Sequence, residues 1–260
     1  MTGWTQRLLI QSQYYPGDSG SVSHKTVDQA KASRRETAIK LGEVRFLEYL
    51  DGAGFFASLN TDLRTLLDME DTAGIIQIRS TPVRLRREMQ LVGFLTPIEI
   101  EHAILIAGTD RKKVAAVLTA DGYNTDEIER AITAALKNEL LEQPNENSLR
   151  IAPSRWEQAR RYFLLDMAAI EGKTLTIAES NTLGLLLVPG YGPFHGLPTD
   201  ALRAAAEERS PSLKPDWSVG GVFEGDLAWL TERGYAVVNS ETALKPMAPT
   251  SAVSRQKNRL

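Results

Sequence analysis

The residue types that most often do chemistry are scarce in this chain and widely spaced. It has no cysteine, which excludes disulfides, thiol nucleophiles and thiolate metal sites. His24, His102 and His195 are far apart, so a histidine-rich metal site is not expected. The sequence contains no Gly-rich phosphate loop and no evident spacing for a Ser-His-Asp triad. We therefore predict no catalytic residue, no metal ligand and no cofactor.

One short motif has the form of a metal-dependent nuclease site. Glu171-Gly172-Lys173 stands just before a strand predicted over residues 175–177. Such a site needs a further aspartate to share the Mg²⁺ ion, usually at the end of a preceding strand. Asp166 is too near in sequence and lies on a predicted helix. We interpret the motif as a chance occurrence.

Basic residues form four clusters that could neutralise phosphate groups. They are Lys31, Arg34, Arg35 and Lys40; Arg84, Arg86 and Arg87; Arg111, Lys112 and Lys113; and Arg160 with Arg161. Each cluster alone is more typical of a solvated helix face, on which Glu36, Glu88 and Glu157 would be ion-pair partners. The clusters therefore leave nucleic-acid binding open.

A loop rich in glycine and proline is predicted over residues 189–198. It contains Tyr191, Phe194 and His195, which could stack on a base or contact a protein partner. The alternative, which we favour, is a packed structural connection.

The elements that would position these residues are clearest between residues 94 and 153. Thr96-Pro97-Ile98-Glu99 is a capping box with proline at the first helical position, so a helix begins there and ends at Gly108. Thr109 is predicted to cap a second helix over residues 110–120. A third helix begins near residue 125 and has apolar residues every four positions, and a β-hairpin follows over residues 140–152.

Three short helices followed at once by a hairpin resemble the winged helix-turn-helix superfamily. The resemblance lies in element order and not in a diagnostic motif. It implies DNA contacts from the start of the second helix and the start of the third, here Arg111, Lys112, Lys113, Thr125 and Arg130. Arg84, Arg86 and Arg87 would add phosphate contacts from the preceding helix. The acidic residues Asp126, Glu127 and Glu129 oppose this, because they would face a polyanion, and they favour protein binding instead.

The remaining chain is predicted to form two further regions and a tail. Residues 1–93 are expected to contain a strand over 4–15, a loop to 23, helices over 27–50, 61–68 and 82–92, and a strand over 75–78. Residues 154–242 are expected to begin with a helix capped by Ser154 and Glu157. Strands over 175–177 and 183–188, helices over 200–209 and 221–233, and a last strand over 235–238 are expected to follow. This region is a candidate for a second, degenerate winged helix. Residues 243–260 are predicted to be a flexible basic tail.

Composition sets the broad class. The chain has 260 residues, 42% of them hydrophobic and 24% charged, with 30 basic against 33 acidic residues and a net charge of −3. A core of this size excludes wholesale disorder, and the charge balance excludes a generally basic nucleic-acid binder. No apolar run or signal pattern is present, so we expect a cytoplasmic, mainly α protein with small β elements (α+β) and no membrane association.

Three functions remain open. The first is a non-catalytic winged-helix protein that binds duplex DNA or acts in a DNA-processing assembly. The second is an interaction subunit whose winged helix docks a protein partner or a second copy of the chain. The third is the recognition part of a restriction-type nuclease, because residues 79–106 look similar to the non-catalytic recognition region of some restriction endonucleases.

Overall fold

The computed structural model describes residues 7–14, 20–42, 44–51, 65–66, 68–76, 81–188 and 194–239. Within these ranges the chain is mainly helical and has three small sheets, as the sequence predicts. The predicted tail, Tyr191 and most of the predicted helix over 61–68 lie outside the described residues.

The N-terminal part contains a parallel sheet. Strands β1 (Arg7–Tyr14), β2 (Val44–Asp51) and β3 (Thr72–Ile76) pair in that order, and helix α1 (Gly20–Leu41) connects the first two. The predicted helix over 27–50 is therefore wrong in its second half, and the predicted loop over 16–23 is helical from Gly20. Gly42 ends α1 in the left-handed conformation, at φ +79°. The residues after it gain strand pairing with β1, which local periodicity does not reveal.

The middle part follows the prediction closely. Helices α2 (Thr81–Leu91), α3 (Pro97–Ala107), α4 (Arg111–Ala120) and α5 (Thr125–Lys137) precede an antiparallel hairpin of β4 (Leu141–Asn145) and β5 (Ser148–Ile151). The capping box of Thr96 and Glu99 is present. One cap differs, because the side chain that caps α4 is Asp110 and not Thr109.

The C-terminal part is built on the long helix α6 (Pro153–Glu171). Its N-cap is Ala152, with Pro153 in the first turn, so the cap predicted at Ser154 is wrong. The elements that follow are β6 (Lys173–Thr174), α7 (Ile177–Ser180), β7 (Leu185–Leu187), β8 (His195–Pro198), α8 (Thr199–Arg209), α9 (Lys214–Trp217), α10 (Val222–Glu232) and β9 (Val237–Val238).

Two predictions in this part need correction. The strand predicted over 175–177 lies two residues earlier and is followed by a helical turn, whose start is capped by Thr176 and Glu179. Residues 195–198, predicted as loop, form β8 because they pair with both β6 and β7. The resulting sheet has the order β6-β8-β7-β9.

A single buried apolar cluster runs through the chain from Leu95 to Ala236. It includes Ile132 of α5, Phe163 of α6 and Trp217 of α9, so the middle and C-terminal parts share it. Among the described residues, no helix is long and apolar enough to cross a membrane.

Candidate functional site

An ion pair joins the two helices that carry the predicted DNA-binding residues. The guanidinium of Arg111 pairs with the carboxylate of Glu129, which joins the start of α4 to the second turn of α5. Lys112, Lys113 and Arg130 are the sequence neighbours of this pair, and all three are exposed. The exposed basic residues next to this pair, Lys112, Lys113 and Arg130, are called here the α4–α5 basic face.

The acidic residues beside this face are mostly held by internal partners. Glu127 turns towards the preceding loop, where its Oε1 accepts a hydrogen bond from the backbone N–H of Leu95 at 3.2 Å. Asp110 caps α4 by accepting from the backbone N–H groups of Lys112 and Lys113, at 2.8 and 3.1 Å. Acidic residues favour a helix N-terminus electrostatically, which explains their concentration here.

The hairpin lies against the start of α4. Arg111 donates its backbone N–H to the carbonyl of Asn147 at 2.9 Å, and Leu149 donates to the carbonyl of Thr109 at 2.8 Å. An antiparallel bridge joins Asp110 to Ser148. The hairpin tip, which carries the exposed Glu146, therefore adjoins the α4–α5 basic face.

The three arginines of α2 do not form one exposed surface. Arg84 and Arg87 are exposed, whereas the side chain of Arg86 is only 11% exposed and forms ion pairs inside the protein. Arg86 therefore does not belong to a phosphate-binding surface with its two neighbours. Thr125, the remaining predicted contact, is exposed at the start of α5.

Two of the other basic clusters contain buried ion pairs. Arg34 pairs with Glu48 of β2 and with Asp71, and burial raises the pKa of the Glu48 carboxyl despite this arginine. Arg160 pairs with Asp226 at 2.6 Å and with Asp216 at 2.9 Å. Arg34 and Arg160 join elements within the fold, so we do not expect these two residues to contact a nucleic acid.

The described end of the Gly/Pro-rich loop is packed against α6. Phe194 and His195 are half-buried, and the carbonyl of Phe194 accepts a hydrogen bond from Leu175 at 2.8 Å. His195 Nε2 donates to the carbonyl of Ala169 at 2.9 Å. A Cβ at Gly172 would lie 2.6 Å from this nitrogen, so the glycine of the Glu171-Gly-Lys173 motif permits close packing. These contacts agree with the packed connection that the sequence favoured.

Sequence reasoning did not anticipate a polar cluster between α2, α3 and α6. Arg86 Nε donates to Glu99 Oε1 at 2.6 Å, and Arg86 Nη2 donates to Asp166 Oδ2. The same Asp166 oxygen lies 2.8 Å from His102 Nδ1. Gln90 also donates to Glu99, at 2.9 Å.

The cluster changes the acid–base properties of its members. Burial alone would raise the pKa of Asp166, but the charges and hydrogen bonds of Arg86 and His102 outweigh burial and lower it to about 2. Burial would lower the pKa of Arg86, but Asp166 and Glu99 raise it above its ordinary value. Burial raises the pKa of the nearby Tyr123 phenol, and the charges of Glu99 and Asp121 add to this. Asp166 is therefore ionised at neutral pH.

This polar cluster borders a cavity of about 360 Å³. Its lining also includes the apolar side chains of Ile106, Val117, Phe163 and Met167. Arg86 Nη1 and His102 Nε2 are buried and have no hydrogen-bond partner within the described part of the chain. A buried polar atom without a partner costs free energy, so this pair of nitrogens calls for an explanation.

Only one signal in the sequence could have pointed to this cluster. Glu99 and His102 are three residues apart on a predicted helix, which places them on one face. Their contact with Asp166 joins residues far apart in the chain and depends on how α3 and α6 pack.

No protein-family model, no curated protein and no solved structure matches this chain.

Proposed function

We propose that residues 94–153 form a winged-helix-type module that binds duplex DNA through phosphate contacts, and that the protein acts without catalysis. Lys112, Lys113 and Arg130 of the α4–α5 basic face would supply the main contacts. The exposed Arg84 and Arg87 of α2 would add to them.

One observation carries the proposal: the acidic residues near this face are mostly engaged within the module. Asp110 is held by the backbone of α4, Glu127 by the backbone of Leu95 and Glu129 by Arg111. These contacts orient three carboxylates towards the module, while Lys112, Lys113 and Arg130 are exposed; Asp126 and Glu146 are also exposed beside them. The support is therefore local, because the long basic side chains can reach phosphate groups although the surrounding carboxylates keep their charges.

The connection between the hairpin and α4 also supports the proposal. In a winged helix, the hairpin and the two last helices must present one continuous surface to a duplex. The bridge from Asp110 to Ser148 holds the hairpin beside the α4–α5 basic face. The proposal rests on this module alone and does not include a second winged helix in residues 154–242.

Docking of a protein partner is the second candidate function. Glu146 at the hairpin tip and Asp126 at the start of α5 are both exposed, and each would lie close to a bound phosphate backbone. A partner with basic side chains would tolerate these carboxylates better than DNA would.

The deciding experiment is a fluorescence-anisotropy titration of a labelled mixed-sequence duplex over a series of KCl concentrations. We expect salt-sensitive binding by the unaltered chain. The variant Lys112→Glu/Lys113→Glu should bind all sequences more weakly, with a log K versus log salt slope flatter by about 2, because each lost phosphate contact removes about 0.9. Lys31→Glu/Arg35→Glu, which makes the same charge change on exposed residues of α1, is the matched control and should bind as the unaltered chain does.

The outcomes separate the two candidates. Equal weakening by both double variants would mean that net charge and not this face governs binding. If the unaltered chain shows no salt-sensitive binding even at the lowest ionic strength, DNA binding is ruled out and protein docking takes its place.

A further inference from the structure

Strand β1 has the sequence of a central strand but lies at the edge of the N-terminal sheet. It pairs with β2 along one side, and among the described residues no strand lies along its other side. The run Leu8-Leu9-Ile10 is continuously apolar, which is typical of parallel strands that are covered on both faces. In the structure none of residues 7–12 is buried, and Ile10 is 51% exposed. The strand therefore leaves apolar surface open to a partner.

The two faces of β1 have different neighbours. Gln11 faces helix α1, since its Oε1 accepts a hydrogen bond from Arg34 Nε at 3.1 Å. Because side chains alternate along a strand, Leu8 and Ile10 lie on the opposite face. On that face the register neighbour of Ile10 is Leu47 of β2, which is fully buried. The apolar layer thus continues from β2 to β1, and Ile10 is its exposed margin.

The outer edge of β1 has none of the features that protect edge strands from pairing. Such protection comes from prolines, bulges, inward-pointing charges or a short strand. β1 has eight residues without proline or glycine, and its register with β2 is unbroken from Arg7 to Tyr14. Its only charged residue, Arg7, stands at the end of the strand. The backbone N–H and C=O groups on this edge can therefore pair with another strand.

A second copy of the chain fits this edge. If two β1 strands pair antiparallel about a twofold axis at Ile10, each Ile10 lies opposite Ile10 of the partner subunit. Leu8 then lies opposite the partner's Ser12, and Arg7 opposite the partner's Gln13, so the two like charges are kept apart. Contacts of this isologous, twofold kind are the most common in oligomers. The two three-stranded sheets would join into one sheet, with α1 of both copies on the same face.

We propose that the protein forms a homodimer in which β1 pairs antiparallel with β1 of a second copy, about a twofold axis at Ile10. The pairing gives partners to the backbone groups at the outer edge of β1, and it buries the exposed Ile10 side chains against each other. This inference concerns the N-terminal sheet and does not depend on DNA binding by the α4–α5 basic face.

Sedimentation velocity of the full chain over a series of protein concentrations tests the self-association. We expect a reversible change from the mass of one chain to twice that mass. Ile10→Lys places two like charges directly opposite each other and should weaken the dimer at least about tenfold. Ile177→Lys makes the same change at an apolar residue of α7 that is 69% exposed, and this matched control should associate as the unaltered chain does.

Two outcomes of this experiment would overturn the proposal. One is an unaltered chain that stays monomeric at every concentration. The other is an Ile10→Lys variant that dimerises as tightly as the unaltered chain. Circular dichroism of Ile10→Lys should match that of the unaltered chain, because the replaced side chain is already half exposed in one copy.

The absence of cysteine from the chain allows a second test, which adds no charge. In an antiparallel pair the Cα atoms of opposed residues are about 4.5–5.5 Å apart, which a disulfide can span. Ile10→Cys should therefore form a disulfide-linked dimer under mild oxidation. Arg7 is three positions from the axis, so the two cysteines of Arg7→Cys would be about 20 Å apart and should stay unlinked. Equal cross-linking of the two variants, or none by Ile10→Cys, would overturn the proposal.

Hydrogen exchange locates the contact in the unaltered chain. Amide groups at the outer edge of β1 gain a strand partner only in the dimer. A peptide covering residues 7–14 should therefore exchange more slowly at a concentration at which the dimer prevails than after dilution, whereas a peptide covering β5 should not change. If the mass doubles while exchange in residues 7–14 stays the same, the contact lies elsewhere and the proposal is wrong.

Discussion

Asp166 accepts hydrogen bonds from Arg86 and His102 through one oxygen, in a side chain that is only 21% exposed. A buried carboxylate is costly without partners, and here two partners compensate it. Arg86 and His102 lower its pKa to about 2 although burial acts in the opposite direction, so the fold favours the ionised form. The ion pairs of this cluster therefore contribute to stability at neutral pH.

We expect this contribution to disappear in acid. In the unfolded chain Asp166 takes up its proton near pH 3.8, but in the folded chain only near pH 2. The stabilisation is present above the unfolded value and is lost as the pH falls towards 2, by roughly 2 kcal/mol. Urea unfolding followed by circular dichroism measures this loss. Between about pH 5 and pH 2, the free energy of unfolding should fall more steeply for the unaltered chain than for Asp166→Asn.

The comparison between variants isolates this residue. Burial raises the pKa of Glu48 and Glu101, so their contributions change with pH in the opposite sense, but they are common to both proteins. Asp200→Asn at an exposed position should follow the unaltered chain. Parallel curves for Asp166→Asn and the unaltered chain would show that Asp166 does not stabilise the fold.

At the scale of elements, the start of α4 depends on a single side chain. Asp110 accepts from the second and third backbone N–H groups of the helix, which have no partner within the helix. Thr109 contributes only its carbonyl, to Leu149 of the hairpin. The cap and the bridge to the hairpin therefore lie on adjacent residues.

We expect Asp110→Ala to reduce the free energy of unfolding by about 1 kcal/mol, as for other lost N-caps, and Thr109→Ala to change it little. Ser154→Ala at the start of α6 should also have little effect, because Ala152 and not Ser154 occupies the cap position. Urea unfolding of the three variants measures this. A larger loss for Thr109→Ala than for Asp110→Ala would contradict the cap described here.

At the scale of the whole molecule, the continuous apolar cluster from Leu95 to Ala236 couples the middle and C-terminal parts. Helix α6 supplies buried residues to both sides of this cluster, among them Phe163 and Leu164. Two parts that share a core are expected to unfold together.

Tryptophan fluorescence tests this coupling, because the middle part contains no tryptophan and the C-terminal part contains Trp156, Trp217 and Trp229. Ile132→Ala removes a fully buried side chain from α5 and should cost about 2–5 kcal/mol. The fluorescence midpoint should fall together with the circular dichroism midpoint. Thr133→Ala at the next, exposed position is the control, and an unchanged fluorescence midpoint in Ile132→Ala would show that the two parts unfold separately.

The sequence by itself determined the elements between residues 81 and 151. Their limits follow from local signals, such as Pro97 and Glu99 at the start of α3 and the glycine that ends it, and these act within a few residues. It also determined the exposed lysines at the start of α4, because a predicted helix start and a run of charges are both visible in the chain.

Only the tertiary structure decided which charged residues reach the surface. Arg86 and Asp166 are 80 positions apart, and they meet because α2 and α6 both contact α3, at Glu99 and His102. Glu127 turns inward because the backbone of Leu95 offers a donor there. Residues 44–51 form a strand because β1 and β3 are available to pair with them. Each of these outcomes depends on partners distant in sequence, and residue type and local spacing hold no information about such partners.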